Sequence, residues 1–376
     1  MSQPTLSRFG RRSFGLGALG LASAALLPGC GSSSSGAPAG QGGGASSKGG
    51  LAGYANKGMD FFFFVVQSEA VKRASEKLGY TFQTTNAEQD SSVQYNQWNS
   101  LMIQRPAFLI SDPIDSEGLA PLAERAHNQK IPVGIIDTPL TAGKVDFTIA
   151  FDNKLGGQMA AQRTVELLKK RYGGTAKGTV LNGYGALSSV AWRLRKEGFE
   201  EELAKYPDIK VLSRPTDGAE TKARAVAEAT LAEFPDLDAA HAPSDSITRG
   251  IITSLRGKGK AKPVADKDHV ILTSIDGEPQ SLGWTREGIL DAEVSQDPVA
   301  YAQICVEMLT KYTAAGQPVP IGDYENKAYF WEKAPVQDTP TGPSCVIPPY
   351  FIDSSNVDDP RQWGNVVTKD WGLKQE

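Results

Sequence analysis

The stretch TIAFDNKLGGQMAAQRTVELLKKR, Thr148 to Arg171, sets the pattern by which the chain reads. Thr148–Phe151 is a short apolar run, and Gln158–Arg171 spaces its apolar side chains along one helical face. Asp152-Asn153 stands between them. Strand, polar turn and amphipathic helix in that order make the first half of a βαβ unit. Outward from here, further runs read as strands: Leu51–Asn56, Tyr80–Thr84, Ala107–Ser111, Val133–Asp137, Gly178–Asn182, Ile209–Leu212, Ala239–Ala242, Val270–Ile275 and Ala292–Ser295. Amphipathic stretches such as Ala219–Glu233 separate most of them. Such alternation predicts an α/β fold of doubly wound parallel sheets with helices on both faces. Ten strands suit two sheets of about five. No fixed-period repeat is present, which argues against a solenoid. After about residue 320, Pro335, Pro340, Pro343, Pro348 and Pro349 break the pattern. That predicts an ordered wrap without a regular pattern, anchored by Tyr329, Trp331, Tyr350, Phe351 and Trp363.

Composition bounds the function. The chain has 376 residues, 40% hydrophobic and 22% charged, which excludes wholesale disorder and a polytopic membrane protein. Its length predicts two domains. A formal charge of −4 argues against a nucleic-acid partner. Three Cys and three His leave little material for metal chemistry.

Residues 1–29 have the layout of a secretory signal peptide. Arg8, Arg11 and Arg12 precede a mildly apolar stretch from Phe14 to Leu27, with no Asp or Glu. Arg11-Arg12-Ser13-Phe14 resembles a twin-arginine export signal. Leu27-Pro28-Gly29-Cys30 resembles a lipobox, with Pro28 as a departure, so Cys30 is expected to carry a lipid that anchors the protein to the membrane. Gly15, Gly17 and Gly20 match a dinucleotide fingerprint, but no strand precedes them and the match reads as chance. Gly, Ser and Ala fill 17 of the 20 positions 31–50, so residues 30–50 are expected to form a flexible tether. Removal of residues 1–29 leaves 36 basic against 43 acidic side chains, a net charge of −7.

In open parallel sheets, ligands bind beyond the carboxyl ends of the strands. The residues there are Lys57, Asp60 and Phe61–Phe64, then Asp112, Asp137-Thr138, Asp152-Asn153, Ser244-Asp245, Asp276-Gly277 and Gln296-Asp297. Any one Asp reads equally as a helix cap or a ligand contact. Aromatic faces combined with carboxylates, an amide and an Arg suit a sugar, whose C–H faces stack and whose hydroxyls pair with polar groups. At least two of the four Phe rings are expected in the core.

These residues resemble the periplasmic sugar-binding proteins of ABC importers, of the ribose-binding type, over about Leu51 to Gly316. The resemblance is carried by Phe63-Phe64, Lys77-Leu78-Gly79-Tyr80, Asp112-Pro113-Ile114-Asp115-Ser116, Ile131-Pro132-Val133, Asp152 to Gly157, Arg195 to Phe199, Ser274 to Gly277 and Gln296-Asp297-Pro298. It implies two lobes joined by a hinge of three crossings, with the ligand cleft between them. The implied division is 51–151 plus 297–325 for the first lobe, and 152–296 plus 326–376 for the second. Phe63 and Phe64 would stack on the sugar, and Asp112 and Asp137 would accept its hydroxyls. Arg195, Asp276 and Gln296 would complete the site. Thr138 departs from the Arg that ribose binders carry there, and Gly218 and Ser244 replace an aromatic and an amide. These departures count against ribose itself, and a neutral monosaccharide or polyol is expected. Trp192, one turn before Arg195, reads equally as a replacement stacking face or as packing. Cys305 and Cys345 read as a disulfide or as two buried thiols.

Rival functions find little support. No G-x-S-x-G occurs, and His127, His241 and His269 lie far apart without H-x-x-x-H or C-x-x-C. No enzyme activity, metal or cofactor is expected. The partners expected are the sugar or polyol, an importer permease and the membrane through the anchor, with the protein a monomer facing the cell exterior or periplasm. The alternative is a sensory protein presenting the same ligand to a membrane receptor.

Overall fold

The computed structural model describes residues 49–375. The signal segment 1–29, the lipidation site Cys30 and nearly all of the 30–50 tether lie outside the described residues. The first lobe opens with β1 (Leu51–Asn56), α1 (Phe62–Lys77), β2 (Thr81–Asn86), α2 (Ser91–Ile103), β3 (Phe108–Ser111), α3 (Ala120–Asn128), β4 (Val133–Ile136) and β5 (Phe147–Phe151). The second contains α4 (Asn153–Arg171), β6 (Gly178–Tyr184), α5 (Val190–Leu203), β7 (Ile209–Pro215), α6 (Glu220–Glu233), β8 (Ala239–Ala242), α7 (Asp245–Gly257), β9 (Ile271–Asp276), α8 (Pro279–Arg286) and β10 (Ala292–Ser295). All ten strands read from the apolar runs are present. Their order is β2-β1-β3-β4-β5 in one sheet and β7-β6-β8-β9-β10 in the other, every pair parallel. This order reverses beside the first strand of each sheet, opening a crevice at the carboxyl ends.

Helix α9 (Pro298–Lys311) then returns to the first lobe and packs on α1, β4 and β5. It precedes β11 (Gly322–Glu325), β12 (Lys333–Thr339) and β13 (Gly342–Ile347). These three extend the first sheet, because β13 pairs parallel with β5 and β12 pairs antiparallel with β13. Only then do β14 (Tyr350–Ile352), antiparallel to β10, and α10 (Trp363–Lys369) rejoin the second lobe. The expected division is corrected accordingly: residues 326–347 belong with the first sheet, not the second. The segment is ordered, as expected, but the expected absence of regular elements is corrected, since Pro335 and Pro343 sit inside strands. Ala334 and Val336 are buried while Lys333, Pro335 and Gln337 are exposed, the alternation of a half-buried strand.

The chain thus passes between the sheets at 152, at 296–297 and at Pro348-Pro349. Asp152 caps α4 by accepting from the Leu155 N–H at 3.0 Å. Asp297 caps α9 by accepting from the Ala300 N–H at 2.9 Å. Both carboxylates are therefore helix caps at the crossings. The proline pair at the third crossing has both φ angles restricted by its rings.

Close helix contact also has a readable cause. A Cβ on Gly157 would lie 2.2 Å from the Arg195 carbonyl oxygen, and one on Gly198 2.1 Å from that of Lys154. The facing glycines let α4 and α5 touch backbone to backbone.

The possible disulfide is absent: Cys305 and Cys345 are free, buried thiols. Cys305 lies against Gly134 in β4, where an added Cβ would meet its Sγ at 2.3 Å. Cys345 is in β13, with β5 between that strand and β4. Two strand spacings are roughly 9–10 Å, beyond the reach of a disulfide. Burial raises both thiols, Cys345 up to about 12.

Candidate functional site

The cleft between the lobes is lined by residues from the carboxyl ends of both sheets. From the first lobe come Lys57, Phe61, Phe63, Phe64, Asp137 and Thr138. The second contributes Ser189, Ala191, Trp192, Arg195, Ser244, Ser246, Asp276, Glu278 and Gln296. Ten of the thirteen residues expected from sequence as ligand contacts therefore meet here. The other three do not line the cleft. Asp60 is exposed on the loop before α1. Asp112 lies behind Lys57 and holds its Nζ at 2.8 Å. Asp245 spends its carboxylate on scaffold, accepting from the Glu278 N–H at 2.8 Å, the Ser274 hydroxyl at 2.9 Å and the Ser281 hydroxyl at 2.8 Å.

Lys57 is fixed by position. Besides Asp112, its ammonium donates to the Thr138 Oγ1 at 2.9 Å and lies 3.7 Å from Asp137. Thr138 in turn donates to Asp137 Oδ2 at 3.0 Å. The other Asp137 oxygen, Oδ1, has no hydrogen-bond partner although the residue is only 4% exposed. Its nearest cation is Arg195 Nη2, at 3.9 Å. A buried acceptor left open costs about 1–3 kcal/mol, so this atom calls for a donor in the cleft.

Arg195 is buried and heavily bonded. Its Nε donates to Asn153 Oδ1 at 2.8 Å, Nη1 to the Pro243 carbonyl at 2.7 Å and Nη2 to Gln296 Oε1 at 2.7 Å. The guanidinium also stacks 5.0 Å from the Phe151 ring and lies 3.6 Å from Asp276. Gln296 donates its amide to Asp276 Oδ1. Asp137 and Asp276 occupy equivalent strand ends with positive φ, 61° and 141°. Such backbone is uncommon outside glycine and concentrates at ligand sites.

Burial raises the Asp112 carboxyl well above the usual range, with Asp137 adding and Lys57 opposing. Burial likewise raises Asp276, against the pull of Arg195. An anionic ligand would push both carboxyls higher still, so the cleft suits a neutral one.

Four rings face the cavity: Phe61, Phe63, Phe64 and Trp192. Three of the four consecutive phenylalanines therefore reach the cleft, Phe62 being the exception, even as Phe63 and Phe64 also join the core. Trp192 lies over two glycines, where a Cβ on Gly185 or Gly218 would come within 2.3 or 2.0 Å of its ring. The Gly218 departure thus makes room for Trp192, which is half-buried and shows its remaining surface to the cleft.

Sequence reasoning missed Ser189, Ala191, Ser246 and Glu278, and placed Phe61 at the strand end without assigning it to the site. Glu278 follows Asp276-Gly277 at a strand end and was findable on that ground. Ser189 and Ala191 stand at the start of α5 and carry no such signal. Among the described residues, no group of three or more His, Cys, Asp or Glu side chains is placed to hold a metal.

Known proteins resemble this chain in sequence and fold. The ribose import binding protein of Salmonella typhimurium is 28% identical over 249 residues, 66% of this chain and 80% of its own. The D-apiose import binding protein of Actinobacillus succinogenes is 24% identical, over 68% of this chain and 79% of its own. A carbohydrate transporter solute binding protein from Agrobacterium radiobacter, solved with D-arabinose, superposes with a TM-score of 0.71 at 18% identity, covering 84% of this chain and 98% of that one. One from Bacillus halodurans with bound myo-inositol gives 0.69 at 19% identity, over 84% and 98%. Residues 52–318 match the model of the periplasmic binding protein domain, and with its two lobes and central cleft the chain belongs to that family.

Proposed function

We propose that the protein captures a neutral monosaccharide or polyol outside the cytoplasm and delivers it to an ABC importer. The observation that carries this reading is the unpartnered Asp137 Oδ1, held in a cleft walled by four aromatic rings. A hydroxyl supplies the missing donor, and the rings take the ligand's C–H face. In this reading Phe63, Phe64 and Trp192 stack, Asp137 and Asp276 accept, and Lys57, Arg195, Thr138, Ser244 and Gln296 supply the remaining polar contacts. Asp112 acts through Lys57. The ribose, D-apiose and D-arabinose of the related proteins are of the same chemical class.

Residues 1–29 act as the export signal, Cys30 carries the lipid, and 30–50 tether a monomeric body that performs no catalysis. A thermal-shift screen of pentoses, hexoses, inositols and sugar alcohols tests the reading. A true ligand at 100 times its dissociation constant adds about 2.7 kcal/mol of apparent stability. If no neutral polyhydroxy compound raises the melting point while an anionic ligand does, the reading is wrong.

A further inference from the structure

Helix α1 begins without a cap of its own: Phe61, at its N-cap, makes no side-chain hydrogen bond to the helix. The cap comes from the opposite lobe. Glu278, in the turn after β9, accepts from the Phe63 N–H through Oε1 at 3.1 Å. A carboxyl oxygen at a helix N-terminus satisfies an orphan backbone donor. Here the bond runs directly across the cleft, from the cavity wall of one lobe to that of the other.

The C-terminal segment holds Glu278 in this position. Its Oε2 accepts from Arg249 Nη2 at 3.1 Å and from the Gln375 side-chain amide. Gln375 also accepts from the Gln280 N–H at 2.9 Å. Upstream, Trp363 of α10 donates to the Asp276 carbonyl at 2.9 Å and packs edge-on to Phe63, ring centres 5.9 Å apart. Trp371 lies 5.0 Å from the Arg73 guanidinium, farther along α1. Residues 363–375 therefore grip the second lobe at 276–280 and the first lobe along α1.

We infer that Glu278, braced by residues 363–375, is a positioning residue of ligand capture, fastening the two lobes by capping α1 across the cleft. Its effect on ligand release rests on the proposed solute-binding function, whereas the cross-cleft cap does not. When the lobes separate, α1 loses its cap and Trp371 its cation, so opening is opposed. The fastening acts on the rate at which a bound ligand escapes, because the contacts form only after the lobes have met.

The test compares the wild-type chain with Glu278→Gln, Glu278→Ala and a chain ending after Lys369, each checked for native circular dichroism. Hydrogen exchange of the α1 N-terminal turn is followed without ligand, and dissociation of D-ribose, D-arabinose and myo-inositol by stopped flow. Glu278→Ala and the truncation are expected to speed amide exchange at Phe63 and ligand release by roughly fivefold, the factor for losing one hydrogen bond of about 1 kcal/mol. Glu278→Gln, which keeps an acceptor, recovers part of both. Association rates stay within about twofold. Unchanged exchange at Phe63 in both Glu278→Ala and the truncation overturns the inference, as does faster exchange with unchanged release. If none of the three compounds binds the wild type, the proposed ligand class fails while the exchange measurement still decides the cap.

Discussion

Replacing Gly198 by Ala tests how the second lobe holds its arginine. The added Cβ would stand 2.1 Å from the Lys154 carbonyl oxygen, a backbone atom that cannot swing away. Real Cβ contacts stay above about 3 Å, so α4 and α5 must separate by about 1 Å. Overpacking of this kind costs roughly 1–3 kcal/mol, offset by up to about 1 kcal/mol from the better helix propensity of Ala. A net loss of about 1–2 kcal/mol lowers the melting point by roughly 2–3 °C. The site responds as well, because Arg195 on α5 donates to Asn153 on α4 at 2.8 Å. A 1 Å separation takes that contact beyond hydrogen-bonding distance, and ligand affinity is expected to fall roughly tenfold. Gly283→Ala is the matched control: it lies within α8, and an added Cβ meets no atom within 4 Å. That variant should melt at or slightly above the wild type. Differential scanning calorimetry and ligand titration read both effects. Should Gly198→Ala melt within 1 °C of Gly283→Ala, the backbone contact between α4 and α5 is not as described.

Arg195→Ala strips partners from three acceptors and leaves the buried Asp276 without its cation, so stability falls by about 3–5 kcal/mol alongside ligand binding. Urea unfolding reads it, and an unchanged midpoint would reduce Arg195 to a ligand contact alone. His241 is stacked on Phe199, and burial, with the Arg195 charge adding, lowers it to about 3. The folded state therefore stays neutral while the unfolded chain takes a proton below about 6.5. Its stabilising contribution is complete above pH 6.5 and declines as pH falls toward 3, by about 1.4 kcal/mol per unit. His241→Phe keeps the stacking and lacks this slope, so its stability relative to wild type should rise between pH 6.5 and 5; a constant difference contradicts the assignment. Cys305 and Cys345 should resist a thiol reagent in the native protein and both react in denaturant without reductant, whereas two silent positions would restore the disulfide.

Much of the architecture was legible before any coordinates. Parallel strands covered on both faces must be apolar along their length, and the helices between them must carry one apolar stripe. Local composition therefore reports them, and all ten such strands form where the apolar runs stand. The strands after residue 320 were hidden because proline reads as a breaker, yet β12 and β13 accommodate Pro335 and Pro343 by pairing with β11 and β5, partners distant or unrecognised in sequence. The same limit applied to the cysteines. Nothing local shows that Cys305 lies over β4 and Cys345 in β13, with β5 between them.

The strand-end carboxylates show the boundary most sharply. Sequence alone determined that Asp residues would gather at the carboxyl edges of two parallel sheets, because strand periodicity and chain order dictate where each run ends. Only tertiary structure decided what each one does. Asp152 and Asp297 turn back to cap the helices they precede, and Asp245 ties down the 277–281 turn. Asp112 anchors Lys57, while Asp137 and Asp276 face the cleft on positive-φ backbone. One residue type at one kind of position has four fates, because a carboxylate takes whichever donors the folded chain brings within about 3 Å, and those donors come from every part of the sequence.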